Sequence, residues 1–276
     1  MDSGNVVFRN PAWALIRDLI GERTGMHFDQ DSMELMALKI SDLMAERDID
    51  SPLDYFYLIK YEGAEGHEWL NLINAISVRE TYFWRERDQL RVLAEVIVPS
   101  LAKTTSGPLR IWSAACASGE EPVSIAMALA EAGWLNRISV EIHGSDMSPA
   151  ALAAAERGIY RERAFRSLPE DMRQRYFTPA ADGWKVRADI HRRIQWHRVN
   201  LTVESDIDDL ARSRVIFCRN VFIYFSEATI RKVVRMYAER MPRPGYLFVG
   251  AAESLLRVTN QFQLQQIDGA FVYVSE

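Results

Sequence analysis

Apolar positions along the first eighty residues recur at the three- and four-residue spacing of amphipathic helices. Leu15, Ile16, Leu19 and Ile20 form one stripe in W-A-L-I-R-D-L-I-G-E-R-T-G, which stops near Gly21 to Gly25. A second run, S-M-E-L-M-A-L-K-I-S-D-L-M-A-E-R, starts at a cap on Asp31 or Ser32. Ser51-Pro52 opens a third, L-D-Y-F-Y-L-I-K-Y, with proline at the first helical position, and W-L-N-L-I-N-A-I gives a fourth. The pattern predicts a small helical domain with nothing strand-like in it.

Beyond Thr104 the pattern changes. L-R-I-W-S-A reads as a short buried strand, P-V-S-I-A-M-A-L-A-E-A-G as a helix ending near Gly133, and I-S-V-E-I-H-G-S-D as a second strand. The helix S-P-A-A-L-A-A-A-E-R-G follows, capped by Ser148 with Pro149 behind it. I-Q-W-H-R-V-N, S-R-V-I-F-C-R-N and G-Y-L-F-V-G-A read as three more strands, and F-S-E-A-T-I-R-K-V-V-R-M-Y-A-E-R as the helix between the last two. The chain closes on two alternating runs joined through Asp268-Gly269, a hairpin signature. Strands alternating with helices and finishing in a hairpin predict an open, doubly wound α/β sheet. T-T-S-G-P, Thr104 to Pro108, is the best linker.

Composition narrows the class without choosing the function. Hydrophobic content of 48% and charged content of 26% fit an ordinary soluble globular protein. No run of eighteen apolar residues is present, and the start M-D-S-G-N-V-V-F-R-N-P lacks the basic flank and apolar core of a secretory signal. With only two cysteines, Cys116 and Cys218, a reducing cytoplasm is the expected location. The formal charge of −5 is unevenly spread. The first eighty residues are acidic, whereas Arg157 to Arg198 holds eleven Lys/Arg against five Asp/Glu.

In such sheets ligands bind beyond the carboxyl ends of the strands, near the reversal of strand order. The candidates are therefore Ala114 to Glu120, Asp146, Asn200, Arg219 and Asn220. Asp146 lies roughly thirty residues after the end of the first strand, where a carboxylate accepts from both hydroxyls of a ribose. The stretch R-I-W-S-A-A-C-A-S-G-E-E-P has one glycine, and Glu120 and Glu121 open the helix, which disfavours a pyrophosphate. A nucleoside with a cationic group and no phosphate suits it better, and S-adenosylmethionine is one. Two acids opening a helix equally fit simple complementarity to the helix dipole, so spacing alone leaves both readings open. Cys116 has acids for neighbours and is expected to be a small buried residue rather than a nucleophile. No His/Cys cluster has metal spacing and no serine elbow is present. I-S-V-R-E-T-Y-F-W-R-E-R, Ile76 to Arg87, joins the two halves. It reads either as an interdomain helix docking its aromatics or as a roof of arginines over the ligand.

Taken in order, R-E-T-Y-F-W-R-E, I-W-S-A-A-C-A-S-G-E-E-P-V-S-I-A-M, G-S-D-M-S-P-A-A-L-A-A-A-E-R-G-I-Y, R-V-N-L, V-I-F-C-R-N-V-F-I-Y-F and G-Y-L-F-V-G-A-A-E-S-L resemble the bacterial chemoreceptor methyltransferases, the CheR family. The resemblance implies an α/β class I methyltransferase (Rossmann-like) sheet ending in an antiparallel hairpin, preceded by a small all-α domain. It implies boundaries at 1–80 for the helical domain, 81–108 for a linker helix and loop, and 109–276 for the methyltransferase domain, with a small β-subdomain near 178–196. It implies methyl transfer from S-adenosylmethionine to glutamate carboxylates of chemoreceptors, leaving S-adenosylhomocysteine. By motif, Arg79, Thr81 and Arg85 reach the cofactor from the linker, Ala114 lets it lie against the first strand, and Glu120 binds its ammonium. Asp146 takes the ribose, Asn200 and Leu201 frame the adenine, and Arg219 and Asn220 complete the pocket. Arg85 and Tyr224 are the pair expected near the transferred methyl, in catalytic roles.

The chain departs from that family in three places. Arg79 stands where asparagine is usual, the second helix is not arginine-rich, and T-P-A-A-D-G-W-K-V-R-A-D-I-H-R-R-I-Q-W is short for gripping a receptor's terminal peptide. The expected partner is a methyl-accepting chemoreceptor or a receptor-like signalling protein, met by a monomer that approaches the membrane only through it. Nucleic acid is not expected. Two other readings stand beside this one. They are a class I methyltransferase with another acceptor, and a non-catalytic module that binds S-adenosylmethionine or a receptor.

Overall fold

A computed structural model describes residues 10–104 and 107–276. The amino-terminal nonapeptide and the middle of the Thr104–Pro108 linker lie outside the described residues. The chain divides into two compact units, residues up to Val78 with Tyr224–Thr229, and Arg79–Ile223 with Ile230–Glu276.

In the first unit the four helical stripes become α1 (Ala12–Thr24), α2 (Gln30–Ala45), α3 (Pro52–Glu62) and α4 (His67–Ile76). Gly25, at φ 75°, ends α1 in the left-handed conformation that glycine adopts without penalty. The α2 cap is Asp29 rather than Asp31 or Ser32. Its carboxylate accepts from Ser32 N (2.9 Å), a donor that the helix leaves unpaired. Ser51 caps α3 with Pro52 as its first residue. Glu68 on α4 is fully buried, accepts from the Tyr55 hydroxyl (2.8 Å) and forms an ion pair with Arg47. Burial and that carboxylate push the Tyr55 phenol upward.

The second unit is built on a seven-stranded sheet in the order β6-β2-β1-β7-β8-β10-β9. Its strands are β1 (Leu109–Ala114), β2 (Val140–Asp146), β6 (Ile194–Arg198), β7 (Val215–Phe217), β8 (Gly245–Phe248), β9 (Gln263–Ile267) and β10 (Ala270–Ser275). The β6-β2-β1-β7-β8 run is parallel, and β10 pairs antiparallel with β8 and β9. Asp268 (φ 43°) and Gly269 (φ 88°) make the two-residue turn between β9 and β10. α6 (Glu120–Glu131) follows β1 and α7 (Pro149–Arg157) follows β2, capped by Ser148. The core on the α6 side joins Ile111, Val123, Met127, Ile142, Phe217 and Phe248. On β1, Trp112 is fully buried, packs edge-on against Tyr237 (5.4 Å) and donates its indole N–H to Ser145 Oγ (2.8 Å).

Two expectations change. The small β-sheet comprises β3 (Ile159–Tyr160), β4 (Phe177–Ala180) and β5 (Gly183–Val186), so it overlaps 178–196 but begins earlier and ends at Val186, and Ile194–Arg198 belongs to the main sheet. A two-residue strand carries no periodicity, so β3 left no mark in the pattern. Gly183, at φ 144°, crosses so close to β3 that a Cβ there would meet the Tyr160 carbonyl oxygen at 2.3 Å. The linker helix, α5 (Arg87–Val92), starts at Arg87 and not at residue 81. Trp84 (φ 65°) and Glu86 (φ 52°) are left-handed and cannot continue a right-handed helix. α5 then passes through a wider turn, Leu93–Ile97, into Val98–Leu101.

Candidate active site

β1 and β2 run parallel and end together, with Ala114 paired to Ser145. The loop after β1 and Asp146 at the end of β2 therefore share the carboxyl edge of the sheet, beside the place where the strand order reverses. That loop is tightly wound, with Ala115 (φ 56°), Ala117 (φ 49°) and Gly119 (φ 91°) all left-handed. Cys116 N donates to the Ser145 carbonyl (2.7 Å) and Gly119 N to the Cys116 carbonyl (2.9 Å). Trp196 packs against Gly119, where a Cβ would lie 2.7 Å from its ring. Packing and backbone angle thus require this glycine, with no phosphate involved.

The Asp146 carboxylate is fixed by the same loop. Ala117 N donates to Oδ2 (2.9 Å) and Ser148 N to Oδ1 (2.8 Å). Each oxygen retains lone-pair capacity, so the held carboxylate can still accept from a diol. Burial raises its pKa, opposed by the backbone N–H groups and then by the charge of Arg79. Glu120, the first residue of α6, is 5% exposed and accepts from Ser118 Oγ at 2.7 Å. Burial pushes its carboxyl up to about 6, against the lowering effects of Ser118 and of Arg163. A buried carboxylate with this bias gains when a cation is brought to it.

β6 leads into Asn200 and the buried Leu201. Asn200 Oδ1 closes its own turn by accepting from Thr202 N (3.0 Å) and Thr202 Oγ1 (2.8 Å). Beyond β7, Asn220 has φ 59°, and its Oδ1 is buried without a hydrogen-bond partner. Asn220 N (2.7 Å), Val221 N (2.8 Å), Phe222 N (2.7 Å) and Ile223 N (3.3 Å) all donate to the Glu253 carboxylate. Gly250 N donates to the same group at 2.7 Å. The Arg219 guanidinium donates from Nε to Glu121 Oε2 (2.6 Å) and from Nη1 to the Arg85 carbonyl (2.9 Å).

The linker reaches this edge as a strained turn. Phe83 is fully buried among the rings of Tyr160 (4.7 Å), Phe165 (5.1 Å) and Phe177 (4.9 Å). Trp84 N donates to Ser124 Oγ (3.1 Å), whose hydroxyl donates to the Glu120 carbonyl (2.6 Å). The turn is thereby tied to the first turn of α6. Trp84 and Glu86, both left-handed, flank Arg85, at a cost of roughly 1–2 kcal/mol each. Tyr82 lies beneath the guanidinium of Arg166 (3.7 Å) and within 5.3 Å of that of Arg85. Thr81 is half-buried and Arg79 exposed.

Ala114, Glu120, Asp146 and Asn220 therefore converge on one edge of the sheet, and the turn that carries Arg85 is bonded to it. Tyr224 belongs to the helical unit, where its carbonyl accepts from His27 N at 2.8 Å. His143 Nδ1 and His197 Nε2 lie 3.0 Å apart across β2 and β6, with no three-ligand group among the described residues. The sequence reading included Ser118 only within the Ala114 to Glu120 span, and it missed Trp196 and Glu253. A glycine inside β2, Gly144, signals the close approach of Trp196, and an acid in the otherwise apolar G-A-A-E-S-L signals an anchoring role for Glu253. Cys116 is buried, and burial followed by the charges of Asp146 and Glu121 pushes its thiol up. Cys116→Ala is expected to leave methyl transfer within about twofold of the parent, since a protonated thiol is no nucleophile. A steady-state assay checks this.

The residues at this edge fit a cationic nucleoside without phosphate, with one buried and one half-buried carboxylate and an unpaired amide oxygen. Fold and site together define a class I methyltransferase. Comparison with known proteins agrees. Residues 79–271 match the family described as CheR methyltransferase, SAM binding domain, and residues 11–77 match CheR methyltransferase, all-alpha domain. Chemotaxis protein methyltransferase 2 of Vibrio cholerae is 32% identical over 95% of this chain and 91% of its own. Chemotaxis protein methyltransferase 1 of Pseudomonas aeruginosa is 31% identical over 96% of this chain and 97% of its own. Chemotaxis protein methyltransferase Cher2 of Pseudomonas putida is 30% identical over 99% of each chain. The chain belongs to the CheR methyltransferase family, and its cofactor is S-adenosylmethionine.

Proposed function

We propose that the chain methylates glutamate side chains of a chemoreceptor, or of a receptor-like signalling protein, forming glutamyl methyl esters. The observation that carries the reading is the pair of acids, buried Glu120 in the first turn of α6 and half-buried Asp146 at the end of β2, in a chain that matches both domains of the family. The names of the relatives, chemotaxis methyltransferases, support the choice of acceptor.

Bound S-adenosylmethionine supplies a methyl group on a sulfonium that is already an activated leaving group. The residues have only to bind and to orient. Glu120 holds the ammonium, Asp146 the ribose hydroxyls, and Asn200 with Leu201 the adenine. Ala114, Asn220 and the backbone at Arg219 line the pocket, and Arg79 and Thr81 reach it from the linker. A glutamate has a pKa of about 4.3, so the acceptor is already ionised at neutral pH and needs no base. In-line placement is what remains, and Arg85 and Tyr224 provide it by orienting the acceptor carboxylate. For Tyr224 this rests on the sequence motif. Tyr224→Phe is expected to slow transfer about tenfold or more while leaving the cofactor Kd unchanged. Equal turnover in stopped assays removes Tyr224 from the reaction.

An acceptor such as nucleic acid is less well supported. Within the basic stretch, Arg166, Arg173, Arg175 and Arg187 are each paired with an acid, at 2.5, 2.6, 2.5 and 3.0 Å. The test is incubation with methyl-labelled S-adenosylmethionine and receptor-containing membranes, followed by alkali. Methyl esters release volatile labelled methanol. Label that stays bound through alkali means another acceptor chemistry, and no label at all means a binding module.

A further inference from the structure

Arg219 is 7% exposed, and its guanidinium Nε and Nη1 are both engaged inside the unit that carries the cofactor site. Nε donates to Glu121 Oε2 (2.6 Å), and Nη1 donates to the Arg85 carbonyl (2.9 Å) and to Gln89 Oε1 (3.3 Å). Glu86 Oε2 lies 3.6 Å from Nη1. The other oxygen of Glu121 accepts from Ser113 Oγ on β1 (2.6 Å), and Gln89 Nε2 donates to the Val249 carbonyl just past β8 (2.9 Å). One buried cation thus connects the ends of β1, β7 and β8 to the backbone at residue 85. That residue lies between two non-glycine residues in the left-handed region, Trp84 and Glu86. A turn of this kind persists only where its surroundings over-determine it. The carbonyl between the two strained residues is held by Arg219.

We propose that Arg219 is a positioning residue. With Glu121 it locks the Trp84–Glu86 turn and so aims the Arg85 side chain for methyl transfer, while the backbone at Arg219 lines the cofactor pocket. This rests on the role given above to Arg85. Glu121 neutralises the guanidinium and is itself fixed by Ser113, so the pair is rigid on both sides. It also explains why two acids open α6. Glu120 is left for the cofactor, and Glu121 serves the linker.

A double-mutant cycle tests this with Arg85→Met, Arg219→Met and the combined variant, reading single-turnover transfer rate, cofactor Kd by calorimetry and melting temperature. Arg219→Met is expected to slow transfer about ten- to a hundredfold, as a displaced orienting group does, with the cofactor Kd within about threefold of the parent. The combined variant is expected to be no slower than Arg85→Met, because both changes remove the same contribution. Arg219→Lys is expected to recover part of the rate by keeping one charged donor. Multiplying effects in the combined variant, or loss of cofactor affinity equal to the loss of rate, overturn the proposal. If Arg219→Met does not fold, Glu121→Gln takes its place in the cycle with the same two outcomes, since glutamine retains the bond from Ser113. A normal rate in Arg85→Met instead overturns the role of Arg85 in the reaction, a result distinct from additivity in the cycle.

Discussion

Glu120→Gln is expected to weaken S-adenosylmethionine binding about a hundredfold at pH 7.5 and, without cofactor, to raise the melting temperature. The loss reflects a buried charge-assisted hydrogen bond to the ammonium, of order 2–3 kcal/mol. The gain follows from linkage. Burial lifts the Glu120 carboxyl to about 6 in the folded chain from 4.5. Between those values the folded chain holds more protons than the unfolded one, so stability is full below pH 4.5 and falls as pH rises through 6. Above that window the ionised side chain costs the cofactor-free fold about 2 kcal/mol. Glutamine removes that cost and keeps a carbonyl for Ser118. In the parent, cofactor affinity is expected to fall as pH drops below about 6, where the carboxyl takes up its proton. In the variant the profile is expected to be flat. Calorimetric titrations between pH 5 and 8, with scanning calorimetry of both proteins, check each part. Unchanged affinity in the variant would place the ammonium elsewhere.

Glu253→Gln is expected to destabilise the second unit by about 3 kcal/mol and to release the segment after β7. The parent carboxylate receives five backbone N–H groups, three on Oε1 and two on Oε2. A glutamine is isosteric, but whichever way its amide lies, its NH2 faces donors that have no other acceptor. Those buried N–H groups then carry their desolvation penalty, at about 1–3 kcal/mol each before relaxation. Urea denaturation measures the loss, and hydrogen exchange at the Asn220 to Ile223 amides locates it. Rapid exchange confined to those amides, with the rest of the sheet protected, is the expected signature.

Much of the fold was legible because single residues controlled it. Ser148-Pro149 and Ser51-Pro52 set helix starts, since a hydroxyl cap and a fixed φ act locally. Asp268-Gly269 set the closing hairpin for the same reason. The α2 cap was misplaced because Asp29, Asp31 and Ser32 are all competent, and the choice lies in where the preceding chain arrives. Strands β1, β7 and β8 of the main sheet showed as apolar runs because both faces are covered. A helix was one of the two readings open for Ile76 to Arg87. What breaks the helix is long-range, in Ala164, Ser124 and Arg219 bonding the backbone of residues 83 to 85. In the site, Asp146 followed from spacing, and the family resemblance decided for Glu120. Glu253 stayed hidden because an acid anchoring backbone N–H groups has no spacing rule. Four of its five donors lie about thirty residues away in the chain.

The two cysteines have a practical side. Cys116 and Cys218 are both buried, and burial holds both thiols protonated well beyond neutral pH. Thiol-directed probes and mild oxidants act on exposed thiolates, so this protein presents them with no target while folded. Receptors carrying engineered cysteines can therefore be cross-linked or fluorescently tagged in its presence. A loss of turnover in such a mixture then reports a change in the acceptor.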